Sequence, residues 1–317
     1  MTIDVLGEPY TVETIELADD FEGTVVATLV KRSADLGHDG DAKGAVLYVH
    51  GFSDYFFQKE YAEWWTARGY DFYGLDLRKY GRSLREHQSG TYVGDLSEYF
   101  DEIDAAWERI TERDGHSKVM LSAHSTGGLT TSLWADDRQP DALAGMVLNS
   151  PWLDLQGSFL LREIATPVVR RIGHRAPMRE LGRDVSGFYT MSLHVQHDGE
   201  WEFDLGLKPV GSYPIRLGWL KAIRDGHARL HRGLDVKAPV LVLSSDRSSK
   251  PKEMGELVHS TDIVLDVRQI RRWSTAIGSH VTYVAVPGAK HDVILSRPEV
   301  RKQAYAEIER WLAAYGV

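Results

Sequence analysis

The chain has 317 residues, of which 43% are hydrophobic, a formal net charge of −9 and no cysteine. A chain of this length and composition can bury one large core or two ordinary ones. Its negative charge argues against a nucleic-acid-binding or anionic-membrane surface, and the lack of cysteine excludes disulfides, thiolate metal sites and cysteine nucleophiles.

The N-terminal sequence MTIDVLGEPYTVETIEL has neither the basic start nor the apolar stretch of a secretory signal. No uninterrupted apolar run approaches the 18 residues that a membrane span requires. The sequence therefore predicts a soluble, cytoplasmic protein that does not insert stably into membranes and has no nucleic-acid partner. It does not predict an oligomeric state.

Short apolar runs alternate with helical patterns along the chain. Near the start, YTVETIEL and GTVVATLVK are rich in β-branched residues and predict two antiparallel strands. Nearly continuous apolar runs then predict buried parallel strands: AVLYVHG (45–51), DFYGLDL (71–77), KVMLSAH (118–124), LAGMVLNSP (143–151), PVLVLSS (239–245) and VTYVAVPG (281–288). With amphipathic stretches between them, these runs predict a doubly wound α/β sheet with helices on both faces, which binds ligands at the carboxyl ends of its strands.

Residues 152 to about 236 interrupt this alternation, because they contain no run typical of a buried strand and are rich in arginine and aromatic residues. We interpret residues 153–236 as a helical insertion after the sixth strand that covers the sheet, here named the cap segment. The predicted core domain therefore comprises residues 1–152 and 237–317. His227 and His231 have zinc-ligand spacing, but no nearby carboxylate completes a site, so we predict no metal and no cofactor.

A serine at a strand–helix junction is the first candidate for chemistry. In KVMLSAHSTGGLTTSLWA, Ser125 follows a predicted strand, with Ala123 two residues before it and Gly127 two residues after it. A nucleophile elbow requires small residues at both positions, because strand and helix approach closely around a residue with positive φ. The hydroxyl then stands at a helix N-terminus, which favours an oxyanion. The alternative is an ordinary helix-capping serine, but the flanking strand and helix favour the nucleophile.

A serine nucleophile needs a general base and an oxyanion hole. The hole should comprise the backbone N–H of the next residue, Thr126, and one from the loop after an earlier strand, where LYVHGFSDYF presents the N–H of Phe52. We interpret His50 in that loop as a buried histidine that hydrogen-bonds its neighbours. The base should come late in the chain, and His291 alone of thirteen histidines lies in the loop after the last predicted strand.

The motifs YVHGFSDY, DLRKYGRS, SAHSTGG and PGAKHD occur in the order and at the intervals of the α/β-hydrolase superfamily. The chain resembles the lysophospholipase and monoacylglycerol-lipase-like branch, which is also grouped with serine aminopeptidases. The resemblance covers about residues 44–152 and 237–317. It implies an eight-stranded sheet, catalytic residues in the order Ser–Asp–His, and ester hydrolysis without a cofactor.

Three departures from the family pattern bear on the site. Ala123 stands where glycine is usual, Lys79-Tyr80 replaces a common Gly-His pair, and Phe52-Ser53-Asp54 replaces a glycine-containing loop. We expect the bulky Phe52 beside the oxyanion hole to narrow the acyl pocket.

The resemblance places the acid past the seventh strand, in a segment like D-x-V-x-D that opens the next helix. TDIVLD has this pattern and directly precedes VRQIRRWSTAIG, but the insertion DRSSKPKEMGELVHS separates it from the strand. Asp262 thus occupies the acid's place relative to the helix, whereas Asp246 lies nearer the strand end. We predict Asp262 as the acid, Asp246 as a structural partner of the amides of RSSK and Asp266 as the helix cap. Asp154 is a more remote alternative.

The sequence therefore predicts a serine hydrolase that cleaves carboxylic esters with small or medium acyl chains, monoacylglycerol-like or lysophospholipid-like esters included. Its expected residues are Ser125, Asp262 and His291, with Phe52 and Thr126 forming the oxyanion hole, and its expected partner is a small-molecule ester. Three alternatives remain open: an amidase or aminopeptidase, an acyltransferase on the same triad, and a non-catalytic ligand-binding protein on a hydrolase scaffold.

Overall fold

A computed structural model describes residues 2–36, 40–156, 171–182 and 186–317. Within these residues, a single sheet holds the strands β1 (Thr2–Ile3), β2 (Thr11–Glu16), β3 (Val26–Arg32), β4 (Gly44–Val49), β5 (Tyr70–Asp76), β6 (Val119–His124), β7 (Leu143–Asn149), β8 (Val240–Ser245) and β9 (Val281–Val286). The described sheet thus has nine strands where the resemblance implied eight. The additional one is the two-residue β1, which pairs with the start of β2.

The order of the strands is β1-β2-β3-β5-β4-β6-β7-β8-β9. The pairs β1–β2, β2–β3 and β3–β5 are antiparallel, and all later pairs are parallel. The predicted mostly parallel α/β sheet is therefore confirmed. Parallel register brings the carboxyl ends of β4, β6, β7, β8 and β9 to one edge, where the loops that follow them meet.

The helices with both ends among the described residues are α1 (Lys59–Thr66), α2 (Phe100–Glu108), α3 (Thr126–Arg138), α4 (Phe188–Met191), α5 (Leu217–Leu230), α6 (Glu256–Ser260), α7 (Val267–Trp273) and α8 (Pro298–Tyr315). A 3-10 turn (Leu96–Tyr99) precedes α2, and a π-helical turn (Arg109–Arg113) follows it. Between β7 and β8 the described residues form α4, α5, a helical stretch at residues 171–175 and loops, and they contain no strand of the sheet.

Local sequence explains several helix ends. Asp95 and Glu98 form a capping box that opens the turn before α2. Asp266 accepts a hydrogen bond from the first turn of α7, as predicted. Pro298 occupies the first turn of α8, and Gly316 ends that helix with φ +67°, a conformation that glycine adopts without strain.

The sheet separates two hydrophobic cores, and β4 shows how. Ala45, Leu47 and Val49 pack with α2 and α3 on one face, whereas Val46 and Tyr48 pack with α1 and α8 on the other. Both faces of this strand are buried, which explains its continuous apolar sequence. Each fully buried leucine or valine side chain contributes roughly 1.5–3 kcal/mol, so the two cores hold the edge that carries the candidate site rigid.

Candidate active site

Ser125 connects β6 to α3 with φ 52° and ψ −117°, a strained conformation for a residue with a side chain. A Cβ atom at Gly127 would lie 2.4 Å from the carbonyl oxygen of His50, so only glycine fits there. The N–H of Ser125 donates to the carbonyl of Asn149 (3.0 Å), and its own carbonyl accepts from the N–H of Trp152 (2.9 Å). These contacts hold the serine in the geometry of a nucleophile elbow.

Ser125, His291 and Asp262 form one hydrogen-bonded chain. His291 Nε2 lies 3.1 Å from Ser125 Oγ, and His291 Nδ1 lies 2.9 Å from Asp262 Oδ2. An ionised carboxylate only accepts hydrogen bonds, so when Asp262 is ionised the ring proton of His291 lies on Nδ1. Nε2 then turns its lone pair toward the serine hydroxyl. The structure thus brings together three residues selected from distant parts of the sequence.

Asp262 is fully buried, yet both of its carboxylate oxygens have partners. Oδ1 accepts hydrogen bonds from the N–H groups of Val264 and Leu265, at 2.8 and 2.7 Å, and Oδ2 faces His291. Charge-assisted bonds of this kind stabilise a buried carboxylate and hold it in one orientation.

The other candidate acids lie elsewhere. Asp246 is exposed, and its Oδ1 accepts from the N–H of Gly288 at 3.1 Å. The expectation that it bonds the amides of RSSK is therefore wrong. Since β8 and β9 are parallel neighbours, their carboxyl ends place Asp246 beside the loop that follows β9. Asp154 pairs with Arg224 at 2.9 Å. It does not bond His291, because the two ring nitrogens of His291 face Asp262 and Ser125.

Asn149, the last residue of β7, connects the serine junction to the histidine loop. Its backbone carbonyl accepts from the N–H of Ser125. Its side chain donates to Asp292 Oδ1 at 2.6 Å and accepts from the N–H of Val293 at 3.0 Å. Burial raises the pKa of Asp292, which directly follows His291. Asn149 therefore fixes the position of Ser125 relative to the loop that carries His291.

His124 lies beside His291, with ring centroids 4.8 Å apart. Burial, followed by the influence of His291, lowers the pKa of His124 to about 3, so its ring is neutral near pH 7. Its Nδ1 faces the carbonyl oxygen of Asn149 at 3.0 Å and therefore carries the ring proton. A neutral neighbour does not oppose positive charge on His291.

The predicted oxyanion-hole amides flank Ser125. Phe52 and Thr126 line the same cavity as the serine, and neither backbone N–H has a hydrogen-bond acceptor within the described part of the chain. His50, predicted to be buried, has no exposed surface. Its Nδ1 donates to the carbonyl of Gly51 (2.8 Å) and its Nε2 accepts from the N–H of Leu77 (3.1 Å), which anchors the loop.

A cavity of about 580 Å³ opens at Ser125, within the range typical of small-molecule sites. About half of the described residues that line it belong to the cap segment, among them Tyr189, Lys208 and Trp219. A second depression, of about 780 Å³, lies beside residues 246–250 and contains none of the three hydrogen-bonded residues. Geometry therefore favours the smaller cavity as the candidate site.

His227 and His231, the pair with zinc-ligand spacing, have backbone partners. His227 Nε2 lies 2.8 Å from the carbonyl oxygen of Trp152, and His231 Nε2 lies 2.9 Å from that of Leu153. Across the described ranges, no group of three His, Cys, Asp or Glu side chains is arranged to hold a metal ion. None of the described helices combines the length and the apolar character needed to cross a membrane.

Comparison with known proteins places this chain in a family. The family model "Serine aminopeptidase, S33" matches residues 40–297, which is most of the chain. The chain belongs to this family. As an S33 family member it has the α/β-hydrolase fold, and the resemblance found in the sequence motifs is confirmed.

One curated relative is phospholipase YtpA of Bacillus subtilis (strain 168), 30% identical over 112 residues. The match spans 35% of this S33 chain and 41% of the relative, which is less than half of either protein.

Solved structures share the fold at low sequence identity. A soluble variant of monoglyceride lipase from Saccharomyces cerevisiae, in complex with a substrate analogue, matches with a TM-score of 0.69 and 14% identity, over 95% of this chain and 94% of the other. The monoacylglycerol lipase of Paleococcus ferrophilus matches with a TM-score of 0.64 and 21% identity, over 90% and 98%. A thermophilic esterase from Thermogutta terrifontis gives 0.58 and 17%, over 96% and 100%.

Sequence reasoning did not select three side chains that hold this site: His124, Asn149 and Asp292. His124 and Asn149 are polar residues at the ends of buried apolar strands, at the sheet edge where ligands bind. That pattern is a signal that identifies candidates without a structure. Asp292 has only its adjacency to His291 as a signal.

Proposed function

We propose that this S33 family member cleaves carboxylic esters through an acyl-enzyme on Ser125. His291 is the general base, Asp262 orients it, and the N–H groups of Phe52 and Thr126 form the oxyanion hole. The observation that carries the proposal is the hydrogen-bonded chain from Ser125 Oγ to the buried Asp262 carboxylate, beside two amides that have no acceptor among the described residues. The lipases and esterases among the proteins that share the fold support it.

In acylation, His291 Nε2 takes the proton of the Ser125 hydroxyl as Oγ attacks the ester carbonyl carbon. The carbonyl oxygen becomes an oxyanion that accepts hydrogen bonds from the amides of Phe52 and Thr126. These donors require no reorganisation because the loop and helix hold them in place. The C–O bond to the alcohol then breaks, and the leaving oxygen takes the proton from His291.

In deacylation, a water molecule replaces the alcohol. His291 Nε2 accepts a proton from the water as its oxygen attacks the acyl carbon, and it returns that proton to Ser125 Oγ when the acid leaves. In both half-reactions Asp262 stabilises the transient imidazolium through Nδ1 at 2.9 Å. No atom beyond ester and water is consumed, so this chemistry needs no cofactor.

An ester is favoured over the free N-terminus of a peptide by the charges around the cavity. An aminopeptidase must bind the ammonium group of its substrate, which requires an unpaired carboxylate or equivalent acceptor. Among the described residues that line the cavity, Asp54 carries the only carboxylate. That carboxylate is paired with Lys208 at 2.9 Å, so it is not free to bind an amine.

The cap segment, residues 153–236, is proposed to cover the site and to limit the acyl chain to small or medium length. Its Trp219 packs against Phe52 with ring centroids 4.3 Å apart, at the cavity wall next to the proposed oxyanion hole. Two aromatic rings packed this closely, with their planes tilted by 39°, leave little freedom to enlarge the pocket.

Labelling with a fluorophosphonate tests the nucleophile. Wild type should form a covalent adduct at Ser125, whereas Ser125→Ala should not react and should lose about 10⁴-fold or more in p-nitrophenyl ester hydrolysis. Ser132→Ala is a matched control, since this buried serine lies on α3 and donates only to the carbonyl of Gly128. Absence of labelling in folded wild type would instead favour a non-catalytic binding protein.

A series of p-nitrophenyl esters from C2 to C16 tests the chain length. We expect kcat/KM to peak at C8 or shorter, and Trp219→Ala to move the peak toward longer chains because it removes one wall. A wild-type maximum at C12 or beyond would contradict the proposed limit.

A further inference from the structure

The loop that follows β4 is held by the cap segment at every residue from Phe52 to Tyr55. The contacts are the rings of Phe52 and Trp219 (4.3 Å), Ser53 Oγ accepting from the N–H of Tyr213 (3.1 Å), Asp54 Oδ1 with Lys208 Nζ (2.9 Å), and the Tyr55 hydroxyl accepting from the N–H of Asp204 (2.8 Å). These four residues, 52–55, are named the oxyanion loop. Its position therefore depends on the cap segment.

The ion pair between Asp54 and Lys208 is the most buried of these contacts. The side chains are 2% and 4% exposed, and both line the cavity at Ser125. The Lys208 ammonium also lies 5.8 and 5.5 Å from the ring centroids of Phe57 and Tyr189. Removing one partner of such a pair leaves an uncompensated buried charge, which is far more costly than losing an exposed pair.

Asp54 lies two residues after Phe52, whose N–H is a proposed oxyanion donor. An unpaired carboxylate in this low-dielectric wall would repel the negative charge that develops on the substrate carbonyl. Lys208 cancels that charge and holds the loop in place. The side chain thus influences the transition state without touching the reacting atoms.

We infer that Lys208 is a positioning residue for hydrolysis: its ion pair with Asp54 holds the oxyanion loop and neutralises the carboxylate beside it. This inference rests on the proposed function. Because Lys208 acts on the developing oxyanion, its loss should lower kcat rather than raise KM, and by the same factor for short and longer acyl chains.

Lys208→Met tests the inference, since methionine keeps an apolar stem of similar length and removes the charge. Its kcat should fall about 10- to 100-fold for both p-nitrophenyl acetate and octanoate, less than the loss expected for removing an oxyanion donor itself, with KM within threefold. Lys208→Arg should keep at least a third of the activity. In Asp54→Asn/Lys208→Met no unpaired charge remains at this position, so kcat should recover at least threefold over Lys208→Met but stay below wild type, because the ion pair that holds the loop is still absent.

Lys221→Met is the control, because this lysine pairs with Asp225 on α5 and lies outside the cavity. The inference is overturned if Lys208→Met keeps kcat within threefold of wild type, if its loss appears in KM alone, or if it affects octanoate only. If Lys208→Met does not fold, the double variant decides: a kcat within tenfold of wild type supports the inference, and a larger loss overturns it. Wild type that is neither labelled nor active rejects the proposed function, and this inference with it.

Discussion

Replacing Asp262 by asparagine tests how a buried carboxylate controls the tautomer of His291. The N–H groups of Val264 and Leu265 donate to Oδ1 at 2.8 and 2.7 Å, so that position must keep an oxygen. In Asp262→Asn the side-chain carbonyl therefore stays there, and the amide NH₂ takes the position that faces His291 Nδ1. Two donors cannot share one hydrogen bond, so Nδ1 must give up its proton.

The ring proton then resides on Nε2 and points at the Ser125 hydroxyl. A protonated Nε2 cannot act as the base, so the geometry is preserved while the chemistry is blocked. We expect kcat to fall by about 10³- to 10⁴-fold, equivalent to about 4–5 kcal/mol in the activation free energy. KM should change little, because Asp262 lies behind His291 and away from the cavity lining.

Steady-state hydrolysis of p-nitrophenyl acetate measures this loss, with circular dichroism to verify the fold. Asp246→Asn is the matched control. Its exposed side chain keeps a carbonyl oxygen for the N–H of Gly288, so kcat should stay within threefold of wild type. If Asp262→Asn retains more than a tenth of wild-type kcat while Asp246→Asn loses more than a hundredfold, the acid is Asp246 and the tautomer argument is wrong.

Two further substitutions test the geometry around the site. Gly127→Ala places a Cβ atom 2.4 Å from a backbone carbonyl oxygen, so it should abolish ester hydrolysis or lower the melting temperature. The control Ala123→Gly should keep most of the activity. Normal activity in Gly127→Ala would refute the elbow geometry. Burial lowers the pKa of Lys290 to about 8, so between about pH 8 and 10.5 the unfolded chain binds more protons than the folded one and this residue makes the free energy of unfolding rise with pH. Urea titrations at pH 7.5 and 9.5 measure the free energy of unfolding at each pH. Between these two values it should rise less, or fall more, for Lys290→Met than for wild type. The same pH dependence in both proteins would contradict the burial argument.

Local patterns in the sequence were sufficient for the fold class and for two members of the candidate site. Continuous apolar runs identify buried parallel strands because a strand covered on both faces has no polar side. Small residues around Ser125 mark the elbow because steric exclusion acts between near neighbours in the chain. His291 followed from its position after the last strand. The sequence-derived division into residues 1–152, 237–317 and a cap of 153–236 stays a prediction, and residues 157–170 and 183–185 of that cap lie outside the described ranges.

The sequence favoured Asp262 over Asp246, but only the tertiary structure shows which of the two carboxylates lies beside His291 and which contacts support the candidate site. Asp262, which an insertion separates from the end of β8, bonds His291 across 29 residues, whereas Asp246, nearer the strand end, bonds the loop after β9. The bond from Asn149 to Asp292 spans 143 residues, and the pair of Asp54 with Lys208 joins the core to the cap segment. No periodicity encodes such pairs, because they depend on which loop ends the folded sheet brings within about 3 Å of each other, and a shift of one residue in either loop would separate them.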